Sequence, residues 1–124
     1  MSDDPQEDDK ELVRQLTGQL PVESPRVQLQ MPPVFNNGYS VPLTLEVDSP
    51  MTATDFVRVV HVLAPRNPIT TLASFHFTPQ SGRARVTTRI RLAEPQNVLA
   101  AAQMSDGSVL MAKTWVKVDT DGCA

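Results

Sequence analysis

The chain is written in short runs of alternating apolar and polar residues, and proline or glycine ends nearly every run. The clearest run is Ala84 to Leu92. Ala84, Val86, Thr88, Ile90 and Leu92 fall on one side, and Arg85, Thr87, Arg89 and Arg91 on the other. A period of two is that of a half-buried strand, because successive side chains leave the pleat on opposite faces. Val41, Leu43, Leu45 and Val47 alternate in the same way with Pro42, Thr44 and Glu46. Pro42 has no N–H for a ladder, so that strand is expected to have a free edge there. Val27 to Met31, Thr71 to Phe77, Asn97 to Met104 and Val109 to Val118 read as further strands. Phe56 to Ala64 is apolar on both faces, as a central strand should be.

The breaks are as informative as the runs. Pro32-Pro33, Asn36-Asn37-Gly38, Ser49-Pro50, Pro65 with Pro68, and Pro79-Gln80-Ser81-Gly82 are turn signals. Asp106-Gly107 between the last two strands predicts a tight hairpin with positive φ angles. About seven strands with regular turns and no βαβ rhythm predict an all-β fold, an immunoglobulin-like antiparallel β-sandwich with a short N-terminal helix. The helix is expected over Asp9 to Leu20, where Leu12, Leu16 and Leu20 stand four apart beside Val13 and would face the body. Pro21 would stop it. In the last strand, Leu110, Ala112, Thr114, Val116 and Val118 are expected inward, and Lys113, Trp115 and Lys117 outward.

Charge divides the chain further. Residues 1–12 carry Asp3, Asp4, Glu7, Asp8, Asp9 and Glu11 against Lys10 alone, within a net charge of −3. Residues 1–10 are therefore expected to form a flexible acidic tail, 11–118 the sandwich and 119–124 a mobile arm. The body is near neutral, without a basic cluster rich in aromatics, which argues against nucleic acid. No apolar run approaches the ~20 residues of a membrane span, and no secretory segment follows Met1.

Few residues carry chemistry. His61 and His76 lie on neighbouring predicted strands, but no other histidine accompanies them, so no metal site is expected. No nucleophile elbow, phosphate loop or carboxylate pair is present. The Arg85, Arg89 and Arg91 row reads as a solvated strand face or as a surface for an anion or a protein. Trp115 between two lysines reads either as an interface aromatic or as packing under the helix. That leaves Cys123, the one cysteine. It has no partner for an internal disulfide, though two chains could join through it. With Val118 as the last anchored residue, five residues at about 3.3–3.6 Å each let the thiol reach about 17 Å.

Asn37-Gly38-Tyr39-Ser40-Val41-Pro42-Leu43 and Val47-Asp48-Ser49-Pro50-Met51-Thr52 resemble the SoxY family of thiosulfate-oxidation carriers. So do Phe75-His76-Phe77-Thr78-Pro79 with Ser81-Gly82, Thr88-Arg89-Ile90-Arg91-Leu92-Ala93, and Met104-Ser105-Asp106-Gly107-Ser108. The resemblance runs from about residue 11 to the end and is dense from 37 to 118. It implies a non-catalytic carrier that pairs with SoxZ as a heterodimer. It implies that Cys123 is the covalent attachment point for sulfur, as a persulfide or S-thiosulfonate, with Gly122 as a flexible joint and no separate cofactor. A c-type cytochrome complex would load the cysteine, and a hydrolase would release sulfate. The family works in the periplasm after export by a twin-arginine signal; a cytoplasmic variant is the other reading for a chain written without one.

The tail departs from the family's Gly-Gly-Cys-Gly-Gly pattern. Asp121 stands for the first glycine, and Ala124 stands where two glycines would follow. Both stiffen the arm, and Asp119 and Asp121 disfavour a thiolate and an anionic cargo. The alternative reading is therefore a divergent interaction module, or a carrier for a different sulfur pathway.

Overall fold

The structure, a computed structural model, describes residues 5–119. Helix α1 (Pro5–Thr17) precedes nine strands: β1 (Val22–Glu23), β2 (Val27–Gln30), β3 (Val34–Phe35), β4 (Val41–Val47), β5 (Val57–Leu63), β6 (Thr71–His76), β7 (Ala84–Ile90), β8 (Gln96–Met104) and β9 (Val109–Val118). They form two sheets. One runs β1-β9-β8-β5-β6, with β3 also on the outer edge of β9; the other is β2-β4-β7. The expected sandwich of antiparallel strands is present.

Its core lies where the alternation placed it. Val41, Leu43, Leu45 and Val47 of β4 meet Val98, Ala100, Ala102 and Met104 of β8, with Val116 and Val118 of β9. Between Val57 and Val59 the register of β5 against β8 slips. The extra residue there lets Val57 and Val60 both join the core, which strict alternation forbids. Pro42 sits in a central strand, yet β2 stops at Gln30, opposite Thr44. The β2 side of Pro42 is therefore unpaired, as its missing N–H requires.

The two short strands were not legible. Pro25 and Pro32-Pro33 break one extended stretch into three pieces. The first and third pair parallel to β9, while the middle one crosses to the other sheet. Thr114 Oγ1 donates to Leu29 O at 3.2 Å and ties the sheets on that side.

Five expectations need correction. Helix α1 begins at Pro5, so residues 5–10 of the expected flexible tail are helical. It ends at Thr17 rather than Leu20, because Gly18 turns to φ +83° and its N–H closes on Arg14 O at 2.7 Å. Its buried face is Asp9 and Val13 with part of Leu12, while Leu16 and Leu20 are 41% and 63% exposed. The outer face of β9 is not uniformly polar either. Val109 and Met111 lie buried with Val13, Leu63, Leu99 and Ala101 in a second, smaller cluster under the helix. Finally, only Gly107 has positive φ in the β8–β9 hairpin. Gly107 N–H bonds Met104 O and Met104 N–H bonds Ser108 O, a type I turn closed by a glycine bulge.

Candidate functional site

The site is the root of the C-terminal arm. Strand β9 carries it, and β3 holds its end: Val34 pairs with Lys117 and Phe35 with Val118. Lys117 N–H donates to Pro33 O at 2.9 Å, and Asp119 N–H to Phe35 O at 3.1 Å. The last anchored residue is thus Asp119, one later than expected. Gly122 and Cys123 lie outside the described residues, and so does most of the expected arm. Cys123 is the fourth residue past the anchor, a contour of about 13–14 Å at full extension.

The loop after β3 closes over this root. Gly38 is buried, and a Cβ there would stand 2.6 Å from Leu92 O and 3.6 Å from Val118. Only glycine permits that approach. Leu92 N–H donates to Gly38 O at 2.7 Å, and the Asn37 side chain accepts Tyr39 N–H at 3.0 Å. Tyr39 is thereby held out in solvent beneath Arg91, whose guanidinium lies 4.6 Å from the ring centroid. A cavity of about 150 Å³ opens here, lined by Gly38, Tyr39, Arg91, Leu92, Ala93 and Asp119.

The arginine row does not act as a row. Arg85 lies 3.7 Å from Glu46, which Arg83 also binds. Arg89 donates to Ser40 O at 3.1 Å, and Arg91 stacks on Tyr39. One residue pairs in a salt bridge and two brace the loop beside the arm.

An amide pair, buried Gln96 and half-buried Asn67, supports the same end. Gln96 Nε2 donates to Asn67 Oδ1, while Asn67 Nδ2 donates to Arg91 O and Asn67 Oδ1 accepts Ala93 N–H. Gln96 Oε1 accepts Arg66 N–H at 2.8 Å. Sequence reading missed this pair, since an isolated Asn in a loop and a Gln after a proline look like surface residues. Tyr39 was visible only within a motif.

The histidines stay apart from this end. His61 bridges three strands: with Gln103 Oε1 accepting from Nε2 at 3.0 Å, Nδ1 accepts from Ser74 Oγ at 2.7 Å. A serine bonds a histidine here, but the third member is a neutral amide, unable to stabilise an imidazolium as a carboxylate does. His76 is exposed. Among the described residues no group of three His, Cys, Asp or Glu side chains could hold a metal. No described helix is long and apolar enough to cross a membrane. Trp115 is 54% exposed on the outer sheet face, in a cleft that also contains Asp9.

Comparison with known proteins follows this geometry. The family model described as "Sulfur oxidation protein SoxY" matches residues 13–123. The chain belongs to the SoxY family. The solved sulfur carrier protein SoxY from Chlorobium limicola f thiosulfatophilum is 28% identical, with 87% of this chain and 93% of that one covered at a TM-score of 0.71. Superoxide reductase (neelaredoxin) from Ignicoccus hospitalis is 16% identical, covering 74% and 78% at TM-score 0.65. Superoxide reductase from Nanoarchaeum equitans is 12% identical, covering 79% and 100% at 0.64. The reductases share the fold. No curated protein matches the chain. The glycine-tight loop at Gly38 is one of the motifs that carried the resemblance, and it packs on the root of the arm.

Proposed function

We propose that the chain is a sulfur-oxidation carrier, holding sulfur covalently on Cys123 and presenting it to enzymes of a Sox system. The observation that carries this reading is the extent of the family match, which runs to residue 123 and so includes the cysteine. The carrier named in the Chlorobium structure supports it. The root geometry suits a carrier, since β3 pins the end of β9 as far as Asp119, four positions before Cys123 in the sequence.

In this reading the Cys123 thiolate joins the outer sulfur of thiosulfate and two electrons pass to a c-type cytochrome partner, leaving an S-thiosulfonate. Hydrolysis by a partner enzyme then adds water, releases sulfate and two protons, and leaves a persulfide on Cys123. The chain itself catalyses neither step and needs no cofactor. Its constant partner is a SoxZ subunit, and its compartment is the periplasm.

Intact mass spectrometry of the chain from sulfur-oxidising cells tests the reading. The expected result is reducible sulfur adducts that map to Cys123 and vanish in Cys123→Ser. Identical spectra for the two proteins would sink it. The two acids before Cys123, Asp119 and Asp121, favour a second reading, an interaction module that keeps the SoxZ-binding surface without carrying sulfur. An unloaded thiol that still reacts with a small alkylating reagent, in a chain that still pairs with SoxZ, would select it.

A further inference from the structure

The arm leaves the sandwich beside a guanidinium that is held without being spent. Arg14, Arg66, Arg83 and Arg85 pair with glutamates, and Arg26 and Arg89 donate to backbone oxygens. Among the described residues Arg91 makes neither kind of bond; it lies over the Tyr39 ring, 4.6 Å from the centroid. The backbone that carries it is fixed. Asn67 Nδ2 donates to Arg91 O at 2.7 Å, Leu92 N–H to Gly38 O at 2.7 Å, and Ala93 N–H to Asn67 Oδ1 at 2.8 Å. The guanidinium is thus presented at a set place, with planar N–H donors to offer.

Arg91 borders two cavities. The one of about 150 Å³ has Asp119, the last residue pinned by β3, on its wall. The other, of about 450 Å³, is walled in part by Pro68, Ile69 and Leu72, and Ile69 is 75% exposed. A cation beside apolar surface suits a ligand with a soft, weakly polar stem and an anionic end. The chain past Asp119 starts on the wall of the smaller cavity, and Cys123 is the fourth residue on. Fully extended, it would carry the thiol away. Thr120-Asp121-Gly122-Cys123, however, has Asp-Gly at its centre, the pair that favours a tight turn. The outer Cα atoms of a β-turn stand less than about 7 Å apart. Such a turn returns Cys123 to the side of Thr120, next to Asp119 and its cavity. Asp121, which breaks the family's glycine pattern, is the residue that makes this a turn sequence.

We propose that the arm turns back at Asp121-Gly122 and that the sulfonate end of an S-thiosulfonate on Cys123 rests on Arg91, its sulfane sulfur against the apolar wall. This deepens the carrier reading and rests on it. A guanidinium donates parallel bonds to a sulfonate as it does to other oxyanions. It also offsets the repulsion that Asp119 and Asp121 exert on an anionic cargo.

The test loads the whole chain chemically, with no Sox enzyme. The Cys123 thiolate attacks an inner sulfur of tetrathionate, forms the new sulfur–sulfur bond and expels thiosulfate, which leaves the S-thiosulfonate. Methyl methanethiosulfonate supplies the neutral control: the thiolate takes its methylthio group and expels methanesulfinate. Intact mass checks both loads, and amide proton–nitrogen correlation spectra read the outcome. The expected result is that the thiosulfonate shifts the amides of Tyr39, Leu92 and Ala93, with shifts about fivefold smaller for the neutral cap and for loaded Arg91→Gln. Arg91 is exposed, so its replacement should cost the fold little, and the spectrum shows whether the variant is folded. The neutral cap decides the matter in the native chain if it is not. Shifts confined to residues 118–124 overturn the proposal. So do equal shifts with the neutral cap, or undiminished shifts in folded Arg91→Gln. Cells that never load Cys123 would sink the carrier reading whatever these spectra show. A cargo left in solvent would sink this inference and leave that reading standing.

Discussion

At the scale of single residues, Asp9 is a costly choice, with its Oδ2 buried and without a hydrogen-bond partner. Burial raises its pKa, with Asp8 and Glu23 adding to the shift and Lys113 partly offsetting it. Between the ordinary carboxylate value and the raised one, the folded state holds a proton that the unfolded state gives up. Stability contributed by the protonated acid is present at low pH and is lost as pH rises through the ordinary carboxylate range towards the raised value. Asp9→Asn is expected to flatten this dependence and to stabilise the chain at neutral pH by about 1 kcal/mol, the scale of a relieved buried acceptor. Urea unfolding of both proteins between acid and neutral pH checks it; a variant less stable than wild type at neutral pH would contradict it.

At the scale of elements, the loop between β3 and β4 links the sandwich to the arm. Gly38→Ala forces a Cβ into Leu92 O and strains the bond from Leu92 N–H to Gly38 O. Overpacking against backbone costs about 1–3 kcal/mol, because backbone yields less than the end of a side chain. The expected outcome is a lowered urea midpoint with an unchanged slope. Since Gly38 also touches Val118, the amides of Lys117 and Asp119 should exchange faster in this variant, while those in the middle of β8 keep their rank order.

At the scale of the whole molecule, the two clusters are unequal. Among the described residues, the core between the sheets holds 19 buried apolar side chains, against six in the cluster under the helix, where α1 supplies Val13 alone. Helix α1 is thus attached by little apolar area and should open without the sandwich. Native-state hydrogen exchange is expected to show α1 amides exchanging through a low-energy local opening, with β8 and β9 amides exchanging only on global unfolding. Equal protection in α1 and β8 would mean that the helix is integral to the cooperative unit.

The sequence by itself determined the longer strands and most of their inward faces, because a pleat's period of two is written directly into runs such as Ala84 to Leu92. It also carried the family motifs, and with them Cys123, because those are local strings. What it could not determine depends on distance across the fold. The helix face turned on Gly18 closing the last turn early and on which side met Leu99 and Met111, so Asp9 went in and Leu16 stayed out. The arginine row came apart because Glu46, Ser40 and Tyr39 reach its members from other segments. The pairing of β3 with the end of β9, which sets where the arm begins, joins residues more than 80 positions apart. Such contacts are decided by which surfaces the packed sheets bring together, and only the tertiary structure holds that information.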